Sequence, residues 1–289
     1  ITCRIMGGGA YSYSDSSARR VTLGTYTNSI EQNFPQQKER KAHHTMKPQG
    51  ITLRESRDSE IHPTSFPIIL ALDLTGSMHH IPEDLIKDGL PTMISNIIQG
   101  GVASPALLFL GIGDHETDKE PLQVGQFESG DKELDLWLSR TYLEGGGGAN
   151  SGESYGLAHY FAVNFCKTDS FEKRGKKGLL ITIGDEPNLK TYPSNALKYI
   201  MGSEQASTYS DVELYEAACK EWEVFHINPR ASRALCNAYW SNLLGQNYIQ
   251  TDDFREIPKI ITKLVLDTAS VPGTEMTPES DSAEGPVFL

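Results

Sequence analysis

The chain is short of cysteine and has no long apolar run. Its four cysteines (Cys3, Cys166, Cys219, Cys236) are scattered over 289 residues, with no CxxC pair and no zinc-like clustering. Cys166, Cys219 and Cys236 fall in helix-like segments, where buried free thiols are expected. No stretch reaches the roughly 18 to 20 apolar residues that span a bilayer, so a membrane partner is not expected. No N-x-S/T sequon occurs, and no basic segment followed by an apolar one marks a signal peptide. A reducing, cytoplasmic setting is the expectation, or a virion if the chain derives from a phage. Positive charge is also scarce: 26 Lys and Arg face 38 Asp and Glu, for a net charge of −12. An acidic surface repels phosphate backbones, which argues against nucleic acid as a partner.

Several catalytic signatures are missing as well. There is no GxxxxGK[ST] phosphate loop and no G-x-S-x-G elbow, and "GIGDHE" lacks the last glycine of a dinucleotide fingerprint.

What is present is enough apolar residue, 38%, for a substantial core. Residues 1–60 differ from the rest. They are rich in Gly, Ser, Gln and basic residues, and their nine Lys and Arg against six Asp and Glu leave the remaining chain at −15. They read as a polar N-terminal arm. Residues 61–270 read as one α/β domain, and residues 271–289 as a flexible acidic tail.

Within 61–270, strand and helix patterns alternate. "SFPIILALDL", "PALLFLGIG" and "KGLLITIGDE" are continuous apolar runs, as expected of strands covered on both faces. "LQVGQFE" reads as a short edge strand, and "EVFHIN" and "YIQTD" as further strands. Helical spacing follows each run; the first helix, from about Pro82 to Ile98, should kink or split at Pro91. This alternation predicts a mostly parallel, doubly wound, Rossmann-like sheet flanked by helices. Trp137, Trp222 and Trp240 are expected in the core, His159 and His226 packed, and His79 and His80 facing solvent.

Three predicted strands end in an acid: Asp73 in "LALDLTGS", Asp114 in "GIGDHETD" and Asp185 in "ITIGDEPN". Parallel strands bring all three to one edge, where ligands of such sheets bind. Each Asp alone could be a loop or cap residue. The spacing D-x-T-x-S at Asp73, Thr75 and Ser77 can aim two hydroxyls at one point, which suits a hard divalent cation. Gly76 leaves room for the loop to turn.

On these residues, "DLTGSM" resembles the metal-ion-dependent adhesion site (MIDAS) motif of the von Willebrand factor type A (vWA) domain. "LLITIGDEPN" is similar to that family's later strand ending in the second Asp, and the resemblance covers about residues 64–270. It implies a Rossmann-like fold, a bound Mg²⁺ or Mn²⁺, and capture of an acidic residue of a protein partner. Asp73, Thr75, Ser77 and Asp185 would form the metal site, the hydroxyls nearest the ion and the carboxylates acting mostly through water. The family's usual Thr in the intervening loop is replaced by Ala149. "GGGGANSGES" is closer to the variant found beside alpha-kinases, which offers Asn150 or Glu153, with Asp114, as additional candidates.

The expectation is therefore a binding module and not an enzyme. A haloacid-dehalogenase-like phosphatase needs a second acid two residues after Asp73, where Thr75 cannot give up a proton near neutral pH. The other alternative is an assembly subunit of a large complex or phage-like particle, whose arm wraps a neighbour.

Overall fold

The computed structural model describes residues 9–76, 78–145 and 152–270. Ser77, Asn150 and the 271–289 tail lie outside the described residues.

In chain order, residues 9–60 hold helices α1 (Tyr13–Leu23), α2 (Ile30–Asn33) and α3 (Gln36–Glu39), a 3₁₀ turn at His44–Met46 and strand β1 (Arg54–Ser56). Then follow β2 (Phe66–Asp73), α4 (His80–Asp84), α5 (Leu90–Gln99), β3 (Pro105–Ile112), β4 (Leu122–Val124) and α6 (Asp131–Ser139). The second half holds α7 (Gly156–Phe165), β5 (Cys166–Thr168), α8 (Asp169–Arg174), β6 (Gly178–Ile183), β7 (Thr191–Tyr192), α9 (Ser194–Met201) and β8 (Tyr209–Ser210). It closes with α10 (Asp211–Ala218), β9 (Trp222–Asn228), α11 (Ala234–Leu244), β10 (Tyr248–Gln250) and α12 (Ile257–Ser270).

The central sheet has six strands in the order β10-β9-β6-β2-β3-β4. All neighbours are parallel except the edge strand β4, which runs antiparallel to β3. Side chains alternate between faces, so each apolar strand feeds two cores. Ile69, Ala71, Leu108 and Leu180 pack with α7, α9, α10 and α11. Ile68, Leu70, Leu72, Phe109 and Ile181 pack with α5, α6 and α12. The expected doubly wound α/β architecture is the one observed.

The first crossover, from β2 to β3, lies on the α5 face, whereas the β6 to β9 crossover lies on the α10 face. The reversal occurs between β2 and β6, which are paired from Ile68↔Leu179 to Leu72↔Ile183. Right-handed crossovers leave a crevice at this point, beyond the carboxyl ends of both strands.

Some local expectations change. The helix from His80 to Gln99 is not broken at Pro91; it widens into a π turn at Leu85–Gly89 just before it. The wider turn gives the proline ring room and absorbs its missing N–H. Cys166 sits in β5, paired with Arg54 of β1, and not in a helix. Trp222 opens β9, and His79 is half-buried, its Nε2 donating to the Leu74 carbonyl at 3.1 Å. Residues 9–60 lie on the same chain's body: Phe34 and Met46 are fully buried, and Arg19 and Arg20 pair with acids of α6.

Candidate functional site

β2 delivers Asp73 to the crevice, where it is 1% exposed. Its Oδ1 accepts from the Thr75 N–H at 2.9 Å and the Thr75 hydroxyl at 2.6 Å. Its Oδ2 accepts from the Tyr155 hydroxyl at 2.7 Å. These bonds stabilise the carboxylate, but burial outweighs them, and with help from the neighbouring Asp185 charge the carboxyl is raised to about 6.

The partner strand makes this approach possible. Gly184 follows β6, level with Asp73; a Cβ there would lie 1.8 Å from the Tyr155 oxygen and 2.7 Å from Asp73 Oδ2. Only glycine leaves space for the pair to meet. His226 holds this glycine from behind. Its Nε2 donates to the Gly184 carbonyl at 3.1 Å, so its Nδ1 accepts from the Thr182 hydroxyl at 2.7 Å. Burial keeps that imidazole neutral, and it stacks on Trp240 with 3.8 Å between ring centroids.

Asp185, the next residue, is also buried. Arg230, from the loop after β9, brings Nη1 to 3.1 Å from Asp185 Oδ2, a charge contact without hydrogen-bond alignment. Arg233 donates to the Asp185 carbonyl at 3.2 Å and pairs with Glu186.

On the other side of β2, Asp114 after β3 organises its own turn. Its oxygens accept from the Glu116 N–H and the Thr117 hydroxyl, and its N–H donates to Asp118 at 2.8 Å. The Asp118 carboxyl is raised by burial.

Glu153 joins the two sides. It forms a bridge to Asn188, its N–H donating to the Pro187 carbonyl and its carbonyl accepting from Leu189, each at 2.9 Å. The side chain is buried, and Oε2 has no hydrogen-bond partner among the described residues. Burial, then the charges of Asp73, Asp118, Asp114 and Asp185, push its carboxyl up to about 9. The structure therefore brings Asp73, Thr75, Asp185, Glu153 and Asp114 to one edge; Ser77 and Asn150 are outside the described residues.

Among the described residues, the arrangement is a crevice crowded with carboxylates, holding hard oxygen donors and no thiolate. Among the described residues, no three His, Cys, Asp or Glu side chains form a ready metal cage. A cation here would need hydroxyl and water ligands as well. The orphaned Glu153 oxygen and the mutual repulsion of buried acids fit a hard cation of that kind.

Sequence reasoning missed Tyr155, Gly184, Asp118 and Arg230. Tyr155 lies in an apolar stretch and reads as core, and Arg230 sits in an unpatterned loop. Only Asp118, in "GDHETD", carried a visible signal.

No protein-family model matches the chain, and no curated protein matches it. Among solved structures, the chain is similar to the pilus adhesin SpaC from Lactobacillus rhamnosus GG in its open conformation. That match has 9% identity and a TM-score of 0.45, covering 74% of this chain and 31% of the adhesin. Proximal thread matrix protein 1 (PTMP1) from the mussel byssus matches at 11% identity and a TM-score of 0.45, covering 71% of this chain and 48% of that one. A structure of PTMP1 with a zinc-occupied MIDAS motif matches at 11% identity and a TM-score of 0.41, covering 75% and 48%. The chain thus spans less than half the length of these proteins. The fold assignment stands on the strand order itself.

Proposed function

We propose that the crevice between β2 and β6 is a divalent-cation site through which this domain binds a protein partner. The observation that carries the reading is the buried, unpartnered Glu153 oxygen, set among Asp73, Asp114, Asp118 and Asp185 beside the Thr75 hydroxyl. A cluster of buried acids that shares one guanidinium contact, Arg230 on Asp185, is costly, and a cation relieves it.

Thr75 and Ser77 would present neutral hydroxyl oxygens to Mg²⁺ or Mn²⁺, with Asp73, Asp185 and Glu153 holding its water ligands. Asp73 fixes the Thr75 hydroxyl by taking its proton in a hydrogen bond, which leaves the oxygen lone pairs available. Tyr155 and Gly184 fix Asp73 in turn. An ion bound by few charged ligands keeps its affinity for an incoming carboxylate, which is why the partner would present an acidic residue. The D-x-T-x-S resemblance to the vWA adhesion site supports the same reading, as does the absence of a second acid at position 75 for phosphatase chemistry.

The test is calorimetry and thermal melting with Mg²⁺ or Mn²⁺ on the wild type and on Asp73→Ala. Binding should stabilise the wild type by about 2.7 kcal/mol at a hundredfold excess over Kd. Asp73→Ala should show neither heat nor shift. A wild type that gives no heat and no change in melting temperature refutes the cation site.

A further inference from the structure

We infer that residues 36–47 form a basic groove beside this crevice and receive an acidic segment of the partner. The inference rests on the proposed cation site in one respect: the segment is the stretch flanking the carboxylate that meets the ion.

Charge is the first argument. The chain carries −12, yet residues 38–47 hold Lys38, Arg40, Lys41 and Lys47 against one acid, Glu39. All four basic side chains are exposed. Lys41 pairs with Glu39 in an exposed pair that is weak and exchanges readily for an incoming carboxylate, and the exposed Lys47 pairs with the largely covered Glu120. Lys41 and Lys47 line a cavity of about 440 Å³ together with Gln36, Glu39, His43 and His44, and Lys38 and Arg40 belong to the same short segment.

Position is the second argument. The Gln37 side chain donates to the Leu143 carbonyl and accepts from the Leu143 N–H, both at 2.8 Å. Two residues on, the Gly145 N–H reaches the carbonyl of Leu74, between Asp73 and Thr75. Glu120, the partner of Lys47, lies two residues from Asp118, and its N–H donates to Glu144. The groove is thus bonded to the same loop layer as the crevice. The buried Ala42 and Met46 anchor it.

Strain is the third. Arg40 has φ +50°, the one non-glycine residue with positive φ among those described. It ends α3, where glycine is the unstrained choice. A long cation kept at a position that favours glycine points to a use for the side chain. An acidic peptide would be steered to such a surface and held in register on it.

The experiment is fluorescence anisotropy with a labelled hexaglutamate peptide at low salt, with and without Mg²⁺, alongside Mg²⁺ calorimetry. The wild type should bind the peptide. A Lys38→Glu, Lys41→Glu, Lys47→Glu variant should bind it about tenfold more weakly, since three reversed charges remove roughly 1.4 kcal/mol. Its Mg²⁺ heat should be unchanged, which also reports that it is folded. Arg40→Gly should bind the peptide less well and melt no lower than the wild type. Equal peptide affinity in the triple variant, or no binding by the wild type, overturns the groove and leaves the cation site standing. Charge-dependent peptide binding without any Mg²⁺ heat supports the groove and refutes the cation site. An oligonucleotide that binds more tightly than the peptide also overturns the proposal.

Discussion

Gly184→Ala is the sharpest test of how the crevice is built. The added Cβ would stand 1.8 Å from the Tyr155 oxygen, where ordinary contacts begin near 3.4 Å, so the phenol would have to retreat by about 1.6 Å. It has nowhere to go. Tyr155 is fully buried, with ring centroids 5.0 Å from His226 and 5.5 Å from Trp240, both edge-on. The retreat would break its 2.7 Å bond to Asp73. Losing a hydrogen bond to a buried carboxylate costs about 1.5 to 3 kcal/mol, and overpacking a core position about 1 to 3 kcal/mol. Gly184→Ala should therefore destabilise by roughly 3 to 5 kcal/mol, read as a lower urea midpoint at unchanged m-value. Tyr155→Phe removes the bond without the clash and should cost only about 1.5 to 3 kcal/mol. The double variant carries the decisive sign. Without the phenol oxygen the alanine methyl loses its worst contact, so the double variant should be clearly more stable than the sum of the singles predicts. Additive costs, or a Gly184→Ala within about 0.5 kcal/mol of wild type, would show that the Gly184–Tyr155–Asp73 contact does not shape the crevice.

Other predictions are open to direct measurement. Arg230→Gln removes a guanidinium that contacts Asp185 in competition with any cation, so Mg²⁺ affinity by calorimetry should rise about two- to fivefold; a fall would mean that Arg230 assists the ion. Burial alone would raise Asp169, but hydrogen bonds from Lys173, the Asp58 N–H and Arg57 hold it at about 2. A carboxyl held below its unfolded value of 3.8 stabilises fully above that pH and loses this contribution as pH falls toward 2. The stability gap between wild type and Asp169→Asn should accordingly shrink over that window, and a constant gap would exclude the ionic origin. Phe34→Ala should cost about 3 to 5 kcal/mol in urea unfolding, because the ring is fully buried in the α5–α12 core; a surface-like cost below about 1 kcal/mol would contradict that packing.

The parts of the fold legible in the sequence were those governed by burial on both faces of a sheet. Phe66–Asp73, Pro105–Ile112 and Gly178–Ile183 are continuous apolar runs because neither face meets water, and each was bounded to within a few residues. Where burial is shared among distant segments, the signal fades. Phe34 and Met46 are single apolar residues in polar surroundings, and what makes them core is the body of the fold they pack against, which no local pattern encodes. The short β1–β5 pair is likewise held from outside, by Arg57 and Arg174 bridging Asp58, Asp169 and Glu172 across more than a hundred residues.

The candidate site divides along the same line, and the division explains its chemistry. Asp73, Asp114 and Asp185 were legible because topology alone sends the ends of β2, β3 and β6 to one edge. Which of them can act was not, since that depends on who neutralises whom. Asp114 spends both oxygens on its own turn, and Asp185 meets the Arg230 guanidinium. Asp73 spends three hydrogen bonds on Thr75 and Tyr155. Glu153 brings a buried oxygen with no hydrogen-bond partner among the described residues, and burial with the surrounding acids pushes its carboxyl up to about 9. A residue placed by one bridge to Asn188, and surrounded by four other acids, has no stabilising role that an amide would not fill at lower cost. Glu153→Gln should therefore stabilise the metal-free protein in urea while weakening Mg²⁺ binding by calorimetry. A variant that loses stability without Mg²⁺ would show that Glu153 serves the fold and not the cation.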